Sequence, residues 1–419
     1  MKTGKVLHGA ARLAFDSVDG VNTIVEQMYR NISATPLPFG RAPEGPAPGI
    51  AGLVHRVIRG VNGGVRSTTD VALSPLTNYL DGHFPPGPHR AAVIAALNGV
   101  CGDHLHRSGN PLATPMTLRV MLGPDAPPSD VPGAALFETC RRSVEIYPSA
   151  AALSDSEFTA GGHILLLAHG LCMNELEWTA KQHNHGHMLA KEYGYSPVFV
   201  RYNSGKHISQ NGRELAQHLE GLVERWPVPV QSVTALGFSM GGLVLRSAMH
   251  SALEHAQRWP QLLDKVVYIG TPHHGSALER GGYWLQRAMA FSPYTAPLAA
   301  LGRIRSDGIT DLRHGNIVDA DWQLYDEHQD NADHRVPLML PPGIDHYAIA
   351  GTLSRSSAGY LQRSDGLVHP DSALGRHPLG AKTLGFAADR QRVFCQLDHL
   401  SMLSDARVAD QLKEWLRLS

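Results

Sequence analysis

The chain has 419 residues and a mass of 45.4 kDa, which is room for one large domain or two ordinary ones. Hydrophobic residues make up 43% and charged residues 18%, a composition that excludes global disorder. Lys+Arg 37 against Asp+Glu 38 leaves a net charge of −1, which excludes a nucleic-acid binder that works mainly by neutralising phosphates.

The N-terminal residues 5–30 carry apolar side chains at helical spacing, among them Leu7, Ala11, Phe15, Val18, Val25 and Met28. Eight basic and four acidic residues up to position 66 give this end a local charge of +4. A basic amphipathic helix of this kind either packs on its own domain or makes peripheral membrane contact. There is no uninterrupted apolar run with a cleavage site, and no stretch of about 18 apolar residues, so the default compartment is cytoplasmic. Residues 35–49 are rich in Pro and Gly and read as a linker. Weak helical character returns over 50–80. Pro85-Pro86-Gly87-Pro88 breaks the chain, and a helix over about 89–99 is ended by Asn98-Gly99. Residues 1–100 are thus expected to form a helical appendage, and 101–419 a separate domain.

From Met116 onward the pattern changes. Met116–Leu122 alternates like a strand, and His163–Ala168 is a continuous apolar run suited to a buried parallel strand. Then follow a helix over 178–193, a strand at 197–202, a helix over 211–225 stopped by Pro227, and a strand at 232–238. A helix over 240–256, strands at 265–270, 346–350 and 392–396, and a helix over 402–417 complete the series. Alternating strands and helices predict a doubly wound, mostly parallel sheet.

Gly237-Phe238-Ser239-Met240-Gly241 is G-x-S-x-G between an apolar strand and a helix of small residues. That setting is a nucleophile elbow, with Ser239 above the sheet and Gly237, Gly241 and Gly242 leaving the turn unobstructed. A serine hydroxyl needs a base, and the base needs an acid to orient it. His399 follows the last strand, where loops at strand C-terminal ends gather active-site groups. Asp365, in Ser364-Asp365-Gly366, follows the preceding strand and is the expected acid; Asp371, Asp345 and Asp398 are the alternatives. His169-Gly170-Leu171 ends the first buried strand. It suits one half of an oxyanion hole, with the Leu171 N–H as one donor and the Met240 N–H as the other. His169 is expected to support the loop, and Gly170 to let backbone approach.

The set HGL at 169–171, GFSMGG at 237–242, GTPHHGS at 270–276, SDGLV at 364–368 and DHL at 398–400 resembles the α/β-hydrolase superfamily. The likeness is nearest to bacterial lipase/esterase-type enzymes and GPI inositol-deacylase-like lipases, and it spans about residues 115–415. It implies Ser239 as nucleophile, His399 as base, Asp365 as acid, and Leu171 with Met240 as oxyanion donors. The implied activity is cleavage of a small-molecule or lipid-like carboxylic ester without a cofactor. Thioesterase, amidase and polyester depolymerase chemistry on the same triad stand as alternatives, and a membrane-associated protein with a vestigial hydrolase domain as a remote one.

Three other features stand out. His183, His185 and His187 make a weak metal-ligand pattern, which His207, His218 or His274 could complete; the plainer expectation is no metal. Asn203-Ser-Gly205 and Asn211-Gly212 read as loop and turn segments that could rim the site. Residues 277–345, with Tyr283, Trp284, Phe291 and Tyr294, are longer than a crossover needs and are expected to form a lid-like insertion. Cys101, Cys140, Cys172 and Cys395 are too widely spaced for a framework and are expected to be free thiols.

Overall fold

Thr117–Met121 (β1) and Ser143–Tyr147 (β2) begin an eight-stranded sheet. It continues through His163–Ala168 (β3), Ser196–Arg201 (β4), Ser232–Phe238 (β5), Leu263–Ile269 (β6), Asp345–Thr352 (β7) and Gln391–Cys395 (β8). The computed structural model describes residues 8–17, 19, 55–63, 67, 88–122, 143–148, 158–276, 306–324, 332–356 and 363–418. The strand order is β2-β1-β4-β3-β5-β6-β7-β8. β1 is antiparallel to both of its neighbours, and every pair from β4 to β8 is parallel.

The parallel strands are apolar throughout because both faces of the sheet are covered. Ile164, Leu166 and Ala168 join one core with Leu215 and Leu219 of the helix Ile208–Arg225 (α3) and Leu243, Val244 and Ala248 of Met240–Glu254 (α4). Leu165 and Leu167 point the other way. They meet Leu189 of His185–Tyr193 (α2) and Val408, Leu412 and Trp415 of Ala406–Leu416 (α5). The doubly wound sheet read from the sequence is therefore present.

Contacts divide the chain into two compact units, Met1–Gly87 with Leu105–Ala113, and Pro88–His104 with Thr114–Ser419. In the first, residues 8–17 and 55–63 are helical. Asn110 Nδ2 donates to the Gly9 carbonyl at 3.0 Å, and Asn62 Nδ2 to that of Phe15 at 2.9 Å. The rest of the 5–30 helix and the 35–49 linker lie outside the described residues. No described helix is long and apolar enough to cross a membrane.

Several local expectations need correction. The helix expected to stop at Asn98-Gly99 runs over Pro88–Arg107 (α1) and is kinked at Cys101. Asn98 does not act as a stop because its amide is engaged elsewhere, donating to Ile94 O at 2.9 Å and accepting from Thr114 N at 2.8 Å. The helix expected over 178–193 is two elements. A 3₁₀ turn, Glu175–Trp178, comes first, and α2 starts later behind Asn184, whose side chain caps it by accepting from His187 N at 3.1 Å. Asn211-Gly212 is not a turn but lies within α3, where a Cβ on Gly212 would strike Ser247 of α4. β2 was not foreseen. Of the insertion, 277–305 and its aromatics lie outside the described residues, whereas Ile309 and Leu312 in the adjoining segment are fully buried core residues. Cys101, Cys172 and Cys395 are free, and Cys140 lies outside the described residues.

Candidate active site

Parallel strands put their C-terminal ends on one edge of the sheet, and the candidate residues come from four of those ends. Ser239 follows β5 with φ 53° and ψ −124°. Positive φ is costly for a residue with a side chain and persists only where the surroundings enforce it. Here Ser239 N donates to Ile269 O at 2.8 Å, and Gly242 N to Ser239 O at 3.1 Å. Gly237 and Gly242 are needed for space: a Cβ on the first would run into the backbone of the second, and one on Gly242 would meet the Thr271 hydroxyl. Thr271 belongs to the 270–276 segment, so that stretch braces the elbow.

His399 follows β8, and its Nδ1–H donates to Asp365 Oδ2 at 2.7 Å. Its backbone N–H also donates to Asp365 O at 3.0 Å. The other carboxylate oxygen, Oδ1, accepts from Leu367 N at 2.9 Å and Val368 N at 2.7 Å. Asp365 follows β7 and is 1% exposed; His399 is 2% and Ser239 4% exposed. The ring of His399 lies 5.0 Å from that of Phe238, and its Cε1 is 3.0 Å from where a Cβ of Gly270 would stand. His399 Nε2 is buried and has no partner among the described residues. Asp371, Asp345 and Asp398 are engaged elsewhere, with Arg376, with Arg390 and with Ser401 respectively.

The loop after β3 stands against the elbow. A Cβ on Gly170 would come within 3.1 Å of the Ser239 Cβ. His169 is fully buried, and burial lowers its pKa to about 4, so the ring is neutral at neutral pH. It donates through Nδ1 to Gly170 O at 2.8 Å and stacks on Tyr202, whose hydroxyl donates to His169 O at 2.6 Å. Met240 opens α4, so its N–H is among those a helix leaves without an internal acceptor.

Residues 160–349 match the family model described as a PGAP1-like alpha/beta domain. This is an α/β-hydrolase fold. The mature lipase BlEst2 of Bacillus licheniformis aligns at TM-score 0.40 and 19% identity, over 63% of this chain and 95% of that one. The lipase of Staphylococcus hyicus aligns at 0.35 and 14%, over 63% and 96%, and a thermophilic esterase of Thermogutta terrifontis at 0.35 and 14%, over 71% and 98%. No curated protein matches the chain by sequence.

Within the α/β-hydrolase fold, sequence reasoning missed the residues that hold the 169–178 loop. Glu175 is fully buried. It receives Arg201 Nε at 2.6 Å, Ser143 Oγ at 2.7 Å and Arg119 Nε at 3.3 Å, tying the loop to β4, β2 and β1. Burial alone would raise its pKa, but the two guanidiniums outweigh it and hold the carboxyl below its usual range. Two residues on, Glu177 closes a capping box with Asn174, accepting from Asn174 N at 2.8 Å. The Asn-x-x-Glu spacing was a visible signal for it.

Burial raises the Glu177 pKa to about 7, above the carboxyl's unfolded value of about 4.3. The folded state thus holds the proton more tightly. The stability this contributes is complete below the unfolded value and is lost as pH rises through about 7. Glu177→Gln lacks that loss, so its Tm minus that of wild type is expected to rise between about pH 5 and pH 8. A flat difference across a thermal melt series would remove Glu177 as the titrating group.

The histidine cluster has structural roles. His183 precedes α2, and its Nε2 lies 2.8 Å from His185 Nδ1, while His185 Nε2 reaches Met402 O at 2.9 Å. His187 Nε2 lies 3.3 Å from Met121 O, and His218 Nδ1 2.8 Å from Glu214 O. His207 faces Asp311 at 3.2 Å, and His274 faces Arg335 at 3.4 Å. Among the described residues, no group of three or more His, Cys, Asp or Glu side chains could hold a metal ion. Asn203 and Gly205 are buried rather than rimming a cleft, with Asn203 Nδ2 donating to Gly102 O at 2.8 Å.

Proposed function

We propose that this protein is a serine hydrolase of carboxylic esters, with Ser239 as nucleophile, His399 as base and Asp365 as the orienting acid. The observation that carries the proposal is the His399 ring. One nitrogen is fixed on a buried carboxylate at 2.7 Å, and the other is buried, unpartnered among the described residues and next to the elbow that strains Ser239. An imidazole held in this tautomer has its Nε2 lone pair free to accept the serine proton.

In the proposed sequence, Ser239 Oγ attacks the acyl carbon as its proton passes to His399 Nε2. Asp365 stabilises the imidazolium, and the developing oxyanion takes hydrogen bonds from the Leu171 N–H in the loop after β3 and the Met240 N–H at the N-terminus of α4. The imidazolium then protonates the leaving alkoxide. Water, deprotonated by the same nitrogen, attacks the acyl-enzyme, and collapse of that second intermediate frees the acid and restores Ser239. Every role falls to a group of the chain itself. The substrate is an ester of a small molecule or a lipid.

The test is hydrolysis of p-nitrophenyl esters of graded acyl length by wild type and Ser239→Ala. Activity in wild type and a fall of about 10³-fold or more in the variant are expected. Inactivity on every ester, or a rate retained without the hydroxyl, would reject the proposal.

A further inference from the structure

Away from Ser239, α4 carries a charged side chain that the proposed chemistry does not use. Arg246 stands seven residues beyond Ser239, about 10 Å along the helix axis. It is 7% exposed. Its Nη2 donates to Leu338 O at 2.7 Å, and its Nη1 lies 3.5 Å from His273 Nδ1. Among the described residues no carboxylate lies within ion-pair distance of it. Asp321 attracts it from beyond that distance, and Asp333 is shared by two other cations. Asp333 holds Arg335 at 2.9 Å and Lys382 at 3.0 Å. Asp321 accepts from Ile317 N at 2.9 Å and Val318 N at 3.1 Å through one oxygen, and from Val336 N at 2.9 Å through the other. His273 adds no negative charge, and burial keeps it neutral. Burial lowers the Arg246 pKa only to about 10, so the guanidinium is charged at neutral pH.

A buried cation without a carboxylate in contact is costly, and here it lines a cavity of about 210 Å³. That is the space of about seven liquid waters. The rest of the lining is His250 and apolar side chains that include Met249, Leu253, Leu338, Met339 and Pro341. Leu253 and Met339, both in this lining, are 55% and 58% exposed.

We propose that this cavity binds a small monocarboxylate with a short aliphatic chain, its carboxylate on Arg246 and its chain against the apolar wall. Arg246, Arg335 and Lys382 carry one more charge than Asp321 and Asp333, an excess that matches a monoanion, and a guanidinium matches the geometry of a carboxylate. The apolar lining selects against inorganic anions. The site does not depend on the chemistry at Ser239.

Isothermal titration of the full chain with hexanoate, hexanol and inorganic phosphate tests this. Saturable hexanoate binding is expected, with hexanol and phosphate at least tenfold weaker. Leu253→Trp fills the mouth from an exposed position and is expected to weaken hexanoate at least tenfold, as is Arg246→Met if it folds. No hexanoate binding, hexanol binding as tight as hexanoate, or undiminished affinity in Leu253→Trp would overturn the proposal. The last outcome would place the acid elsewhere, including at Ser239.

Discussion

Asp365→Asn is expected to lower kcat by about 10⁴-fold while leaving the fold intact. The reason lies in what each carboxylate oxygen faces. Oδ1 accepts from two backbone N–H groups, Leu367 and Val368, and only Oδ2 faces His399. An asparagine here must keep its oxygen on the two backbone donors, because its NH2 cannot face them. The NH2 then points at His399 Nδ1, which has to become the acceptor. The proton moves to Nε2, the nitrogen proposed to take the serine proton. Asn is close to Asp in size and keeps both loop hydrogen bonds, so circular dichroism and Tm should change little. Ester turnover measures the loss, and ¹⁵N chemical shifts of the His399 ring report the tautomer. Retention of more than about a tenth of wild-type kcat would reject the tautomer argument.

The parallel strands were legible because burial on both faces writes them as continuous apolar runs, as in His163–Ala168. The elbow was legible because its steric demands admit few residues, and those residues are contiguous. His399 and Asp365 were harder, since neither has a local signature. Chain order relative to the strands found them, and the 2.7 Å contact shows which of several aspartates stands beside the histidine. What escaped was tertiary. Asn98-Gly99 and Asn211-Gly212 have the composition of helix ends. Both lie inside helices, because Asn98 is claimed by Thr114 N and Gly212 sits where α3 and α4 cross closely. Glu175 finds Arg119 and Arg201 only because β1 and β4 are neighbours in the sheet, and no spacing along the chain announces that.

The same steric logic sets the second large effect, at Gly241. A Cβ there would overlap the Ala168 carbonyl oxygen, and would stand 2.6 Å from both Ala168 C and His169 O. These are backbone atoms. Ala168 ends β3, which is paired to β4 and β5, so it cannot swing aside as a side chain could. In Gly241→Ala the start of α4 must therefore recede from the 169–171 loop. Those are the two elements proposed to supply the oxyanion donors, Met240 N–H from the helix and Leu171 N–H from the loop. Separating them weakens at least one hydrogen bond to the transition state. The expected cost is about 10²–10³-fold in kcat, with about 1–3 kcal/mol of stability from overpacking. Gly380→Ala is the control, because nothing lies within 4 Å of its added Cβ, and activity should be unchanged. Because the separated groups are proposed to act on the transition state rather than the bound ester, the loss should appear in kcat with little change in KM. A Gly241→Ala enzyme with wild-type kcat would mean that the loop and the helix do not act together on the oxyanion. A rise in KM at constant kcat would instead assign their contact to substrate binding.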